Sequence, residues 1–280
     1  MVNVDVIFIT YNQEKYVEQG IKSIMNQKVH NDVNVRIIIA DDCSTDSTLS
    51  KIKELEVLSP FPFTYTGFSN NLGYHENYKR SFMLSTGDYV AILEGDDWWH
   101  SENHIQQHIE FLEKNKNISM SFNQIRYFYS DSNSFKPEKW IYPKSYRYIS
   151  LKEQIINGNQ IGNLSACVFR RKLLLTLPEA FYKLDYADWE LGIWMAQYGD
   201  IAHLKESTST YRVDFKGQWT RLTEQEKRDS MVVTLNNMDL ITHRKYNKLF
   251  ENGKYNILNN IEVKPYTSWK TRLKKILGLN

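Results

Sequence analysis

The chain has 280 residues, 41% of them hydrophobic and 24% charged, with a formal net charge of +2. That composition can bury a core and excludes a disordered polymer, and so small a charge gives no ground for nucleic acid as the main partner. No apolar run approaches the roughly 18 residues of a membrane span, and Cys43 and Cys167 lie far apart without CxxC spacing, which fits reduced thiols better than a disulfide or a zinc site.

The opening Met-Val-Asn-Val-Asp runs straight into a strand pattern, without a basic stretch leading to an apolar one, so a cytoplasmic location is expected. Val4 to Thr10 reads as the first strand, broken by Tyr11-Asn12-Gln13. Val17, Ile21 and Ile24 then recur at helical spacing, to about Gln27. Val35 to Ala40 is a second buried strand. It runs into the acidic, hydroxyl-rich turn Asp41-Asp42-Cys43-Ser44-Thr45-Asp46, in which Ser44, Thr45 or Asp46 is expected to cap a helix with Leu49, Ile52 and Leu55 inward. A weaker strand at Phe63 to Thr66 and a turn at Asn70-Asn71-Leu72-Gly73 precede a helix through Phe82 and Leu84. Tyr89-Val90-Ala91-Ile92-Leu93 follows, a buried strand ending in Glu94-Gly95-Asp96-Asp97-Trp98-Trp99. This alternation predicts an α/β fold with a parallel sheet and helices on both faces.

In such a sheet Thr10-Tyr11, Asp41-Asp42 and Asp96-Asp97 fall at one edge, where open α/β sheets collect their ligands. Adjacent aspartates repel, and Mg²⁺ or Mn²⁺ would neutralise them, since carboxylate oxygen and phosphate suit a hard cation. Neither GxGxxG nor GxxxxGK[ST] follows any strand, which argues against a dinucleotide oxidoreductase and a P-loop ATPase. Without such a loop the charge of a pyrophosphate would fall to the metal. Neighbouring side chains of extended chain face opposite ways. One of Asp96 and Asp97 should therefore face the ion while the other reaches sideways, for instance to a ribose.

In the second half, Ile118 to Tyr129 is apolar and β-rich, residues 130–148 read as a loop carrying Trp140, and Ile161 to Arg170 reads as a strand. Asp188-Trp189-Glu190-Leu191 opens a helix through Tyr198. Asp188 there has a ready reading as a helix cap. From Thr223 a polar, charged helix is expected over Glu224 to Tyr246. Residues 264–279 set Trp269, Leu273, Ile276 and Leu277 on one face and bases on the other. That pattern suits an anionic membrane surface, the catalytic domain or a second copy of the chain as partner.

Taken together, Phe8-Ile9-Thr10-Tyr11-Asn12, Ala40-Asp41-Asp42-Cys43-Ser44, Asn71-Leu72-Gly73 with Asn77, Glu94-Gly95-Asp96-Asp97, Asp188-Trp189-Glu190 and Tyr211-Arg212 resemble the inverting glycosyltransferases of family 2, with the GT-A fold. The Glu-Gly-Asp-Asp form resembles a bacterial branch common in surface-polysaccharide synthesis. The resemblance covers roughly residues 3 to 222. It implies a GT-A domain over 1–222, with a nucleotide-sugar-binding part at 1–117 and an acceptor and catalytic-base part at 118–222. Residues 223–280 would then be a helical extension.

By that resemblance Thr10, Tyr11, Asn12, Asp41, Asp42 and Asn71 hold the nucleotide, with Asp41 accepting from the imide of uracil. Asp97 is implied as the direct metal ligand, Asp96 as a ligand nearer the ribose, and Asp188 as the base. Arg212, Trp219 and Glu190 are candidates for phosphate or acceptor contacts. The family's histidine two positions after the Tyr-Arg pair is Asp214 here, so His203 or Arg212 would have to substitute. The implied reaction moves a sugar from a nucleotide-sugar donor, UDP-linked by preference, to a hydroxyl of a glycan or lipid-linked glycan. Two other readings compete: a non-catalytic sugar-binding or scaffolding protein, and a sugar-phosphate nucleotidyltransferase, which would want a basic, glycine-rich loop where this chain has Tyr11-Asn12-Gln13-Glu14.

Overall fold

The computed structural model describes residues 1–67, 69–136, 146–184, 188–213 and 221–261. The first half alternates as its hydrophobic pattern predicts: β1 (Val2–Thr10), α1 (Val17–Met25), β2 (Val33–Asp41), α2 (Thr48–Glu56), β3 (Phe63–Tyr65), α3 (Tyr74–Leu84) and β4 (Tyr89–Glu94). Next come β5 (Trp98–Trp99), α4 (His104–Lys114), β6 (Met120–Tyr129), β7 (Ser134–Lys136), β8 (Arg147–Ile149) and α5 (Leu151–Ile156). The remainder comprises β9 (Cys167–Arg170), α6 (Arg171–Leu174), α7 (Asp188–Ala196), β10 (Ile201–Val213), α8 (Glu224–Ile241) and α9 (Asn247–Leu258).

All the described strands join one sheet, ordered β3-β2-β1-β4-β9-β6-β10-β5, with β7 on β6 and β8 on β10. β1 pairs parallel with β2 and β4, β2 with β3, and β6 with β10. The sheet is nevertheless mixed, because β9 lies antiparallel between β4 and β6. The strand expected over Ile161 to Arg170 pairs only from Cys167; a 3₁₀ turn at Leu164–Ala166 precedes it. β9 therefore enters the sheet from the edge where the parallel strands end, and its approach, residues 163–166, lies beside their last residues.

The period-two pattern sorts side chains cleanly to the two faces. Val4, Val6 and Phe8 of β1 meet Ile21 and Ile24 of α1, Ile52 of α2 and Ile109 of α4. Ile7 and Ile9 point the other way, into a core with Phe82 of α3, Ile155 of α5 and Met195 of α7. That second core also takes Leu235 and Met238 of α8 and Phe250 of α9. The helices after residue 223 are thus part of the same body rather than an appendage. The single helix expected over Glu224 to Tyr246 ends at Ile241, and His243 and Arg244 turn left-handed (φ 53° and 57°) to start α9. Residues 264–279 lie outside the described residues. Among the described residues no helix is long and apolar enough to cross a membrane.

α4 is joined to the sheet by a column of histidines that the sequence reading passed over. His104 and His108 are fully buried, with ring centroids 4.6 Å apart. His104 stacks on Trp99 at 4.1 Å and places Nδ1 2.7 Å from Thr208 Oγ1 of β10. His108 Nδ1 lies 2.8 Å from Ser121 Oγ of β6. His100, at the outer end, reaches Thr210 Oγ1 at 2.9 Å. Burial disfavours the charged ring, pulling His108 down to about 3 and His104 well below the ordinary range.

A histidine depressed in the folded state contributes stability that is whole above the unfolded value of about 6.5 and is lost as pH falls toward the folded value. The share of one ring is isolated by comparing the protein with H108Q. Between pH 6 and 4.5 the wild type should lose stability more steeply than the variant by about 1.4 kcal/mol per pH unit. Urea unfolding across that range measures it; parallel pH profiles would refute the neutral-histidine seam.

Candidate active site

The parallel strands bring Thr10, Asp41, Glu94 and Val213 to one edge, as the register β1–β2, β1–β4 and β6–β10 requires. The loops after β1 and β2 are laced together there. Asn12, itself left-handed at φ 52°, donates its N–H to Ser44 Oγ at 2.9 Å and accepts from Thr45 N at 2.8 Å on Oδ1. Ser44 closes back on Asp41, whose Oδ2 accepts its N–H at 3.0 Å and whose Oδ1 accepts its hydroxyl. Thr10 is buried and donates to Gln13 Oε1 at 2.8 Å. Tyr11 is 45% exposed, so its ring is open to a ligand. The N-cap of α2 is Ser47, not one of the three residues expected, and it makes no side-chain cap; Asp46, just before it, takes the Thr48 N–H at 2.9 Å instead.

Asp42 departs from its expected role. Its two oxygens accept the N–H groups of Leu72 at 2.9 Å and Gly73 at 2.8 Å. This carboxylate therefore fastens the 71–73 loop against β2. Asn71 is exposed and turned back onto Gly73 N at 3.2 Å.

Past β4 the chain packs carboxylates densely. Gly95 is required by closeness: a Cβ there would stand 2.3 Å from Gln13 Oε1 and 2.7 Å from Thr10 Oγ1. Asp97, expected as the direct metal ligand, is 1% exposed. Its Oδ2 accepts from Ser165 Oγ at 2.6 Å and Asn163 Nδ2 at 3.0 Å, and its Oδ1 accepts from Arg212 N at 2.8 Å. It ties β4, the approach to β9 and β10 together beneath the surface. Asp96 is half-buried and is the member of the pair with solvent access.

Glu94 is the functional candidate that the sequence reading missed, although its place two positions before Asp96 was the available signal. It accepts from Tyr78 Oη at 3.2 Å and Asn163 Nδ2 at 3.2 Å. Burial, then the charges of Asp96 and Asp188, push it up to about 8. Burial and the Asp96 and Glu94 charges likewise push Asp97 up. Asp188 is raised by burial, while hydrogen bonds from Asn159 Nδ2 at 2.6 Å and Trp189 N at 2.9 Å hold it down. Tyr211, on β10, feels all four carboxylates and is raised, after burial, by Asp97, Glu94, Asp96 and Asp188 in turn. The second half of the chain thus delivers Asp188 to the same edge as Glu94, Asp96 and Asp97.

Arg212 is the guanidinium beside this cluster, and it is firmly committed. Nε donates to the Asp96 carbonyl at 2.8 Å and an Nη to Gln19 Oε1 at 2.7 Å, while the group lies 4.4 Å from the Tyr16 ring and 4.8 Å from that of Trp98. Its geometry is that of a wedge fixing the Asp96 backbone rather than a free phosphate ligand. Glu190 also departs from expectation: it is 1% exposed and takes the Thr234 hydroxyl of α8 at 2.9 Å, inside the fold. His203 sits against Phe122 at the start of β10, and its β6 partner lies six residues before that of Arg212, or roughly 20 Å along the strand. It cannot stand in for a histidine at the edge. Trp99 and Trp189 are core residues, donating indole N–H groups to the carbonyls of Ser165 and Gln154 at 2.7 Å. Trp219, Trp140 and Asp214 lie outside the described residues.

Carboxylate oxygens with raised proton affinity, facing one fixed guanidinium, form a donor set that suits a hard divalent cation sharing phosphate oxygens. Among the described residues no three acidic, histidine or cysteine side chains converge as a complete metal cage. The fit is that of a partial site, with Asp96 as its accessible oxygen donor.

The family pattern named Glycosyl transferase family 2 matches residues 5–176 of this chain. An uncharacterized protein of Mycobacterium tuberculosis (strain ATCC 25618 / H37Rv) is 29% identical over 217 residues, which are 76% of this chain and 60% of that protein. The chain thus spans about 60% of the length of this relative. Staphylococcus aureus TarS, solved with UDP-GlcNAc, superposes with a TM-score of 0.61 at 16% identity, over 91% of this chain and 74% of that one. The Pyrobaculum calidifontis mannosyltransferase PcManGT, solved with GDP-Man and Mn²⁺, gives a TM-score of 0.61 at 15% identity, over 98% and 79%. Both likenesses are of fold, that of the GT-A glycosyltransferases. With the family pattern covering most of the sequence and this fold beneath it, the chain belongs to glycosyl transferase family 2.

Proposed function

We propose that the protein is an inverting glycosyltransferase of cell-surface polysaccharide synthesis. It moves a sugar from a nucleotide-sugar donor, UDP-linked, to a hydroxyl of a glycan or lipid-linked glycan. The observation that carries this reading is that one short stretch of chain hydrogen-bonds Asp188 through Asn159 and Glu94 and Asp97 through Asn163, at the edge where the loops of β1 and β2 also end. Sequence-distant acids gathered at the same edge as the open ring of Tyr11 suit a diphosphate and a base, while Glu190 and Asp42 are bonded within the fold.

Tyr11 offers a face to the nucleobase, and Asp41, whose orientation Ser44 fixes, retains lone pairs for the imide N–H of uracil. UDP-GlcNAc bound to the fold neighbour TarS supports the same class of donor. Asp96, with Glu94 beside it, would hold Mg²⁺ or Mn²⁺, and such an ion supplies charge neutralisation for a departing diphosphate. Asp97 braces Asp96 from below. Asp188, its carboxyl raised by burial, is a stronger proton acceptor than an exposed aspartate and removes the proton from the acceptor hydroxyl as it attacks the anomeric carbon. The new bond to that carbon forms as its bond to the diphosphate oxygen breaks, so one displacement inverts the centre. Residues 264–279 are assigned peripheral contact with the cytoplasmic face of the membrane or with a second copy of the chain.

In a thermal-shift panel of UDP-, dTDP- and GDP-sugars with Mn²⁺, UDP-sugars should raise the unfolding midpoint, following the dependence of stability on ln(1 + [L]/Kd). No shift with any of them would overturn the donor reading. D188N should keep that shift and lose about 100- to 10,000-fold in nucleoside diphosphate release in the presence of a productive acceptor; normal turnover would remove Asp188 from its role. The two adjacent aspartates should separate. D97N is expected to lose about 2–4 kcal/mol in urea unfolding, because its amide nitrogen meets donors. D96N, at a half-buried side chain among like charges, should cost less stability than D97N and lose the Mn²⁺-dependent part of the shift.

A further inference from the structure

Between α5 and β9 one short loop touches both halves of the acid cluster. It runs from Gly158 to Asn163 and is bounded by glycines at 158 and 162, both left-handed at φ 79°, where other residues are strained. Asn159, near its start, donates Nδ2–H to Asp188 Oδ2 at 2.6 Å. Asn163, at its end, donates Nδ2–H to Asp97 Oδ2 at 3.0 Å and Glu94 Oε2 at 3.2 Å.

In each asparagine the other half of the amide is held by backbone. Asn159 Oδ1 accepts from Ile161 N at 3.0 Å, and Asn163 Oδ1 accepts from Ser165 N at 2.7 Å. A backbone N–H can only donate, so the Ile161 and Ser165 N–H groups give both amides a single orientation, oxygen toward the loop and nitrogen toward the acids. The loop is seated on the helix that carries Asp188. A Cβ on Gly192, one turn along α7, would fall 2.5 Å from Ile161 Cδ1 and 2.3 Å from Gln154 Nε2, so its absence lets the loop lie directly on that helix.

We propose that the 158–163 loop sets the separation between the proton acceptor and the donor-side acids, with Asn159 as the positioning residue for Asp188 and Asn163 as that for Asp97 and Glu94. This rests on the reading of Asp188 as the base. The two asparagines touch no reacting atom; they hold acids of like charge at a fixed spacing by neutral donors, which adds no further charge to the cluster. Asn159 also stabilises the ionised form of Asp188 until the acceptor arrives.

The test uses the full chain labelled with carboxyl-¹³C aspartate, in which the Asp188 resonance is identified by its loss in D188N. N159D keeps the oxygen that Ile161 needs and replaces the donated N–H with a second acid; N159A removes the side chain. In both, the Asp188 titration midpoint should rise by about one unit or more, nucleoside diphosphate release should fall about tenfold or more, and the Mn²⁺-dependent thermal shift with UDP should persist. N163A should do the reverse, losing that shift by at least half while the Asp188 midpoint stays in place. If either Asn159 variant folds, by its thermal transition, and its Asp188 midpoint is unchanged, the proposal fails, as it does if N163A keeps the full shift. Turnover by D188N would instead sink the base assignment, leaving the titration to decide the positioning claim alone.

Discussion

The constraint on which the rest depends is the holding of several carboxylates, poorly solvated, within reach of one another. Burial alone raises the cost of each charge, and each charge raises the cost of the next. The fold meets this with neutral donors: the hydroxyl of Ser165, the amides of Asn159 and Asn163, the phenol of Tyr78 and the backbone N–H of Arg212. Among the described residues the guanidinium beside the cluster, that of Arg212, is spent on a carbonyl and an amide. What remains is an edge with an excess of proton affinity, in which an added cation would find its charge wanted.

Strand direction explains why these groups meet. β1, β2 and β4 run parallel and end together, and β6 and β10 do the same farther along the sheet. β9 is the exception, and the exception is useful: an antiparallel strand begins where its neighbours end. Asn163 and Ser165 reach the edge for that reason. A sheet with only parallel strands would have put the residues before β9 at the far side and left Asp97 without its donors.

Much of this was legible in the sequence because it is periodic. The alternation of Val4, Val6 and Phe8 with Ile7 and Ile9, and the helical spacing of Val17, Ile21 and Ile24, name their faces outright. The convergence of Tyr11, Asp41 and Asp96 follows from strand direction alone. Less legible was which of two neighbouring acids faces out, since that is settled by Ser165 and Arg212, distant in sequence by 68 and 115 positions. Glu190 stood among the candidates through the Asp188-Trp189-Glu190 resemblance; α8, which covers it, could not be placed by pattern. The 158–163 loop was hidden for a local reason: its apolar Ile161, with Leu164 just beyond it, invited a strand, while Gly158, Gly162 and the asparagines were the marks of a turn.

The helices after residue 223 carry a consequence of their own. α9 lies so close on α5 that a Cβ at Gly253 would stand 2.7 Å from the Ile155 carbonyl, and Asn256 reaches the Ile156 carbonyl at 3.4 Å. Ile156 is two residues from the start of the asparagine-bearing loop. α9 therefore buttresses α5 at the point where the asparagine-bearing loop leaves it, so the last described helix bears on the spacing of the acids through its contacts with the α5 backbone.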